Sequence, residues 1–169
     1  LIENFGPGAV ERLGFGYEDC QKINPRLVYC SLKGFMPGPY EHRPSLDNLV
    51  QMMGGLAYMT GPAGQPLRAG ASVTDILGAT YGALGIVAAL RERDRTGAGQ
   101  NVRASLFEAT AFLVGQHMST AAISQEPLPP MPEGDNPWTI YELFTTADGD
   151  QVCIGIINDK HWASLCQEM

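Results

Sequence analysis

A proline-rich segment is the strongest constraint on what this chain can fold into. Residues 126 to 137 contain five prolines, at positions 127, 129, 130, 132 and 137. Proline fixes φ and lacks a backbone N–H, so this density excludes a regular helix and favours an extended linker. We therefore predict a linker over residues 126–137 that separates one domain part over 1–125 from another over 138–169.

Before the linker, segments with helical and strand patterns alternate, which favours an α/β domain. The pattern predicts a short helix after Pro7 and, from the apolar spacing and the flanking Gly and Pro residues, six further elements. These are helices over Tyr17–Ile23, Leu46–Met53, Thr74–Asp94 and Leu106–Ile123, and strands over Arg26–Leu32 and Asn101–Ser105.

Beyond the linker the pattern changes to a hairpin followed by a helix. Strands are predicted over Thr139–Thr145 and Val152–Ile157, joined by a turn at Asp148-Gly149. Asn158 or Asp159 is expected to cap a helix that starts near Lys160. This order is typical of the beginning of a small α+β domain.

Composition excludes several classes of function. The net charge of −7 argues against nucleic-acid binding, which needs a basic face. The longest apolar run, Ile76–Leu90, is interrupted by glycines, so no membrane span is predicted. Four cysteines without C-x-x-C spacing suggest free thiols in a reducing, cytoplasmic compartment, and the three histidines lack the spacing of a metal site.

Asp75 is the main candidate for chemistry, because it lies in the first turn of the longest predicted helix after a glycine-containing loop. Free N–H groups and the helix dipole would keep a carboxylate ionised and nucleophilic there. Gly78, Gly82 and Gly85 leave room beside that helix for a ligand or a close neighbour. An Asp that merely offsets the dipole, with glycines that serve packing, explains the same residues.

The turn Asn4–Gly8 leads into a predicted helix that carries Arg12. Such a turn can bind phosphate through backbone N–H groups, although a plain capped turn fits equally well. The residues alone therefore leave the function open.

Several segments, in this order and spacing, resemble the class III CoA-transferases, the family that includes formyl-CoA transferase, carnitine CoA-transferase and α-methylacyl-CoA racemase. The matching segments run over nearly the whole chain: Glu3-Asn4-Phe5-Gly6-Pro7-Gly8, Arg12-Leu13-Gly14, Ile23-Asn24-Pro25-Arg26-Leu27-Val28-Tyr29, Gly54-Gly55-Leu56, Met59-Thr60-Gly61, Thr74-Asp75 with Gly78, Gly85-Ile86, Ala88-Ala89-Leu90 and Arg95-Thr96-Gly97-Ala98-Gly99-Gln100.

The resemblance implies acyl-CoA:carboxylate CoA transfer through a covalent aspartyl-CoA intermediate on Asp75. A CoA thioester would be the substrate, with no metal or redox cofactor. Asp47 would support the site, although a surface acid on a helix is an equal interpretation. By the same resemblance the CoA-binding side would contain Asn4, Phe5, Ala9, Arg12 and Leu13, with Arg12 facing a CoA phosphate.

Two alternatives accompany this assignment. The first is a 2-methylacyl-CoA racemase or another isomerase; the resemblance implies that the racemases usually carry a His as second base where this chain has Leu46, which cannot accept a proton. A CoA-ester-binding protein without turnover would keep the fold and lose the chemistry. The resemblance also implies that residues 1–125 are part of a Rossmann-like large domain and that residues 138–169 are the start of a small one. It further implies an interlocked homodimer of longer chains, so we expect this chain to be an internal piece that is inactive alone. The donor and acceptor acids are not predicted.

Overall fold

The computed structural model describes residues 1–134 and 140–169, which form two compact units, Leu1–Glu133 and Gly134–Met169. The last residues of the predicted linker, 135–137, and Thr139 of the predicted strand lie outside the described residues. The chain mixes helices and strands, and the first unit holds both candidate residues Asp47 and Asp75.

The first unit is built on a parallel sheet of β1 (Ile2–Glu3), β2 (Tyr29–Lys33) and β3 (Asn101–Ser105), in that order. Its helices are α1 (Ala9–Arg12), α2 (Tyr17–Ile23), α3 (Asp47–Met53), α4 (Leu56–Thr60), α5 (Val73–Thr96), α6 (Leu106–Leu113) and α7 (Gly115–Ser124). In the register of the sheet Glu3 pairs with Ser31 and Lys33 pairs with Ser105. The carboxyl ends of the strands therefore meet at one edge.

The glycines of α5 let this helix lie directly on the sheet. A Cβ added to Gly82 would stand 2.7 Å from Leu32 Cδ2, and one on Gly85 would stand 2.7 Å from Val102 Cγ1. Gly78 likewise faces Leu106 and the backbone of Ser105. The space beside these glycines is filled by β2, β3 and α6, so close packing and not a ligand accounts for them.

Among the described residues, α5 is the helix that is long and apolar enough to cross a membrane by length and composition. This finding corrects the expectation that no apolar run reaches that length. Leu84 and Val87 on α5 are exposed, whereas Gly82 and Ala89 are buried. The absence of a membrane partner stays a prediction.

Most elements of the first unit lie where the sequence predicts them. The helix Tyr17–Ile23 and the strand Asn101–Ser105 are confirmed to the residue. The strand predicted from Arg26 begins at Tyr29, because the Asn24 side chain accepts from the Arg26 N–H and holds a turn.

Two helix predictions need correction. The helix predicted over Leu106–Ile123 is two helices, since it breaks at Val114 before Gly115, and Gly is the weakest helix former after Pro. The short helix α4 was not predicted; it starts after Gly55, whose φ of 84° lies in the left-handed region that favours glycine.

The proline-rich segment is bonded to the first unit over part of its length. Leu128 O accepts from the Tyr58 hydroxyl at 2.9 Å, and Glu133 Oε1 accepts from the Ala63 N–H at 2.6 Å. Met131–Glu133 forms one turn of 3-10 helix, which the proline content was expected to forbid. The boundaries of the linker and of the two domains stay predictions.

The second unit is a hairpin and a helix. Strands β4 (Ile140–Thr145) and β5 (Gln151–Ile156) pair antiparallel, and Gly149 in the turn has φ 92°. Helix α8 (Asp159–Glu168) packs against β5, and the Asn158 side chain accepts from the His161 N–H at 3.0 Å. The predicted cap is therefore Asn158.

Candidate functional site

A cleft of about 470 Å³ opens at the carboxyl edge of the parallel sheet. Residues that directly follow each strand line it: Asn4 after β1, Gly34 after β2 and Leu106 after β3. Asp75 and Ala79 from the start of α5 form another part of its wall. In open α/β sheets this edge is where ligands bind.

Asp75 is the third residue of α5, whose N-cap is Ser72. Asp75 is exposed to solvent. Within the part of the chain that the structure describes, no group donates a hydrogen bond to its carboxylate. Both carboxylate oxygens are therefore available to a molecule in the cleft.

Asp47 caps the helix that carries Asp75, although it lies on a different helix. Its Oδ1 accepts from the backbone N–H of Thr74 at 3.0 Å and of Asp75 at 3.4 Å, and from the Thr74 hydroxyl at 2.6 Å. Ser72, at the N-cap position, makes no side-chain cap hydrogen bond. Asp47 thus takes over the free N–H groups of the helix start.

The other oxygen of Asp47 is held from the opposite side. Oδ2 accepts from Gln51 Nε2 at 2.6 Å and from Arg68 Nε at 3.3 Å. Gln51, fully buried, also accepts from the Ala69 N–H at 2.9 Å through Oε1. These contacts fasten the loop before α5 to α3.

The pKa values of the two carboxyls shift in opposite directions. Burial is the largest influence on Asp47 and acts to raise its pKa, but the hydrogen bonds from Thr74, Gln51 and the Asp75 N–H outweigh it and lower the pKa. The pKa of Asp75 is raised, first because neighbouring groups shield it from water and then because of the charge of Asp47, with Arg68 opposing.

The direction for Asp75 is opposite to the one expected from the helix dipole. The sequence pattern did not show that a second carboxylate occupies the helix start. Asp47 is buried, at 5% exposed, so the interpretation of Asp47 as a surface acid is wrong.

The residues predicted to bind CoA divide into two groups. Asn4 and Phe5 line the same cleft as Asp75. Ala9, Arg12 and Leu13 lie on α1 or at its end and are not among the residues that line this cleft. Their role in CoA binding stays a prediction.

Two cations in the cleft wall were missed by sequence reasoning, Lys33 and Arg43. Lys33 ends β2, so its position at the carboxyl end of a predicted parallel strand was a signal that could have found it. Arg43 lies in the loop rich in Gly and Pro, where its guanidinium stacks 4.5 Å from the ring centroid of Tyr40. Nothing in the loop sequence indicates that position.

Metal-binding side chains do not cluster in residues 1–134 and 140–169: no group of three or more His, Cys, Asp or Glu residues could hold an ion. Asp47 is instead surrounded by hydrogen-bond donors, and the charge of Arg68 acts on both Asp47 and Asp75. The arrangement places an open carboxylate beside one that is fully bonded.

A family model described as CoA-transferase family III matches residues 1–169. This chain belongs to CoA-transferase family III. Within the family, it is 40% identical to the acetyl-CoA:oxalate CoA-transferase of Acetobacter aceti over 172 aligned residues, covering 98% of this chain and 43% of that protein. It is 49% identical over 107 residues to the formyl-CoA:oxalate CoA-transferase of Rhodopseudomonas palustris (strain TIE-1), covering 63% of this chain and 25% of that protein.

A solved structure has the same fold over nearly the whole length of this chain. A crystal structure of a CAIB/BAIF family protein from Brucella suis superimposes with a TM-score of 0.85 at 32% identity, over 99% of this chain and 44% of that one. The chain thus spans less than half the length of these relatives.

Proposed function

We propose that this chain carries the nucleophile of an acyl-CoA:carboxylate CoA-transferase, and that the nucleophile is Asp75. The observation that carries the proposal is the cleft at the carboxyl edge of the sheet, which brings Asp75 together with Asn4 and Phe5. The relatives named as CoA-transferases support the type of reaction.

The chemistry follows from the open carboxylate. Asp75 attacks the thioester carbonyl, the C–S bond breaks, and CoA departs as its thiolate. A mixed anhydride between the Asp75 carboxylate and the acyl group remains on the protein. The thiolate then attacks the Asp75 carbonyl, which releases the free acid and forms an aspartyl-CoA thioester. An acceptor carboxylate reverses these two steps and leaves as its CoA thioester.

Asp47 acts in this proposal as a supporting residue, since it touches the backbone N–H of Asp75 and not the cleft. Its negative charge raises the pKa of Asp75 and therefore the basicity of the attacking carboxylate. Arg68 offsets part of that effect and keeps the ionised form accessible.

Leu46 lines the cleft near Asp75, at the position where the racemase would need its second base. An aliphatic side chain cannot move a proton, which favours the transferase over the racemase. The names of the relatives suggest acetyl-CoA or formyl-CoA as donor and oxalate as acceptor. We also propose a Rossmann-like large domain, a homodimer of full-length chains, a cytoplasmic location and no tightly bound cofactor.

Trapping the covalent intermediate tests the proposal. The full-length protein is mixed with acetyl-CoA or formyl-CoA, treated with hydroxylamine and mapped by peptide mass spectrometry. We expect a hydroxamate on the Asp75 side chain. We also expect Asp75→Ala to abolish the transfer of CoA to oxalate, while the variant still binds CoA. Asp94→Ala, an exposed Asp at the other end of α5, is the matched control.

An Asp75→Ala variant that still exchanges CoA would overturn the proposal. A wild-type protein that binds the CoA ester without turnover would be a binding protein. Deuterium uptake from D₂O at the α-carbon of a 2-methylacyl-CoA would identify a racemase.

A further inference from the structure

Phe5 lies in the cleft wall, and its main chain is held by two charged side chains. Its N–H donates to Glu3 Oε2 at 3.0 Å, and its carbonyl oxygen accepts from Lys33 Nζ at 2.8 Å. The Phe5 side chain itself is 56% exposed. The segment after β1 is therefore fixed through its backbone, while its side chain stays free for a ligand.

The two charged residues also bond to each other. Lys33 Nζ lies 2.8 Å from Glu3 Oε2, and the Ser31 hydroxyl donates to Glu3 Oε1. Glu3 has 3% of its side-chain surface exposed, whereas Lys33 has 23% and reaches the cleft. A buried carboxylate is costly unless it is paired and hydrogen-bonded, and here both oxygens are.

Packing alone does not require this arrangement. Apolar residues at the ends of two neighbouring strands would fill the same volume, since buried ion pairs contribute little net stability over well-packed apolar groups. A charged pair is instead suited to hold a backbone segment in one position, because both of its members have spare hydrogen-bonding capacity for Phe5.

We propose that Glu3 and Lys33 are positioning residues that set the place of Asn4 and Phe5 against the CoA thioester. This inference rests on the proposed function of the cleft. Lys33 approaches the ligand side of the wall, and Glu3 acts only through Phe5 and Lys33. Loss of the pair releases Phe5, so CoA binds less tightly while Asp75 remains in place.

The test compares Lys33→Met, Glu3→Gln and the double variant in the full-length protein. KM for acyl-CoA and the Kd for free CoA are measured together with kcat and Tm. We expect KM and Kd to rise about tenfold or more, as for a lost hydrogen bond to a charged group. Lys22→Met, which removes an exposed ion pair with Asp19, is the matched control and is expected to leave both constants unchanged.

A second readout separates positioning from general stability. Amide hydrogen exchange of the peptide around Asn4 to Gly6 is expected to rise in Glu3→Gln and in the double variant, because the Phe5 N–H loses its charged acceptor. KM and Kd are measured well below the Tm of every variant, where nearly all of the protein is folded and the folded fraction does not affect them. Under that condition a purely structural role would lower Tm and leave KM and Kd unchanged.

The outcomes are distinct for the two proposals. If the wild type exchanges CoA and the double variant folds with unchanged KM, Kd and Phe5 exchange, the positioning role is refuted and the transferase assignment stands. If the wild type does not bind CoA at all, both proposals fail. A rise in KM and Kd that accompanies faster exchange of the Phe5 amide supports the positioning role.

Discussion

Removal of the Asp47 carboxylate is the most direct test of how the helix that carries Asp75 is held. In Asp47→Ala, the Thr74 N–H and the Thr74 hydroxyl lose their acceptor, and Gln51 Nε2 keeps only a contact of 3.5 Å with Ala71 O. Thr74 and Gln51 are both fully buried, so water does not replace the lost acceptor. A buried donor without a partner costs about 1–3 kcal/mol, and the shared loss here amounts to about 4 kcal/mol of unfolding free energy.

Asp47→Asn is expected to cost less, about 2 kcal/mol, for a geometric reason. Its remaining oxygen can still accept from Thr74, but its NH₂ group would face Gln51 Nε2. Gln51 cannot rotate its amide to help, because its Oε1 already accepts from the Ala69 N–H. One donor-to-donor contact therefore remains in the buried network.

Urea unfolding of the full-length protein, followed by circular dichroism, measures these differences. Asp19→Asn is the control, since Asp19 pairs with Lys22 on the surface and a change there is expected to cost under about 0.5 kcal/mol. A loss for Asp47→Ala no larger than for this control would refute the reasoning, as would a larger loss for Asn than for Ala.

Two further predictions concern the same helix. Asp47→Asn removes a negative charge that raises the pKa of Asp75. The acid limb of the pH–rate profile, where Asp75 becomes protonated, is therefore expected to move to lower pH. An unchanged acid limb, or one at higher pH, would contradict the effect assigned to the Asp47 charge. Gly85→Ala is expected to lose about 1–2 kcal/mol of unfolding free energy, because its Cβ would stand 2.7 Å from Cγ1 of Val102, a β-branched side chain that has little freedom to move, and this cost exceeds the helix-propensity gain of Ala over Gly. Gly70→Ala, with nothing within 4 Å, should change little, and equal urea midpoints for the two variants would contradict the packing.

The stability of the Asp47 network also depends on pH with a definite sign. The pKa of Asp47 is lowered in the folded protein, so its contribution to stability is present above its ordinary value of 3.8 and is lost as the pH falls through the lower folded value. We expect the wild type to lose stability below about pH 4 more steeply than Asp47→Asn, in urea titrations at several pH values.

Helices and strands with strong local signals could be predicted from the sequence. Tyr17–Ile23 is bounded by a Gly and by Asn24-Pro25, and Asn101–Ser105 follows a Gly-rich turn. Neighbouring residues therefore mark both ends of the helix and the start of the strand. The break at Val114 lacks a proline and was missed, since an isolated Gly inside a helical pattern does not by itself end a helix.

The candidate site shows where local reasoning stops. Asp75 could be singled out because its position at a helix start is a property of neighbouring residues. The effect of Asp47 could not be read in the same way, because it acts across 28 positions of sequence through hydrogen bonds that only the folded chain forms. The sequence therefore singled out Asp75 as a candidate, which stays a prediction, and predicted the wrong direction for the shift in its pKa.

The cap that Asp47 places on α5 has a consequence for which substitutions the chain can accept. Gln51, Arg68 and Thr74 all donate to Asp47. A change at Asp47 therefore alters the hydrogen-bond count of the other three, and a change at any of those three alters the count of Asp47. A longer acid at position 47 would push against Thr74 unless α3 or the loop before α5 shifted to make room. We expect these four positions to vary together among homologous sequences, whereas exposed positions on the same helices vary independently.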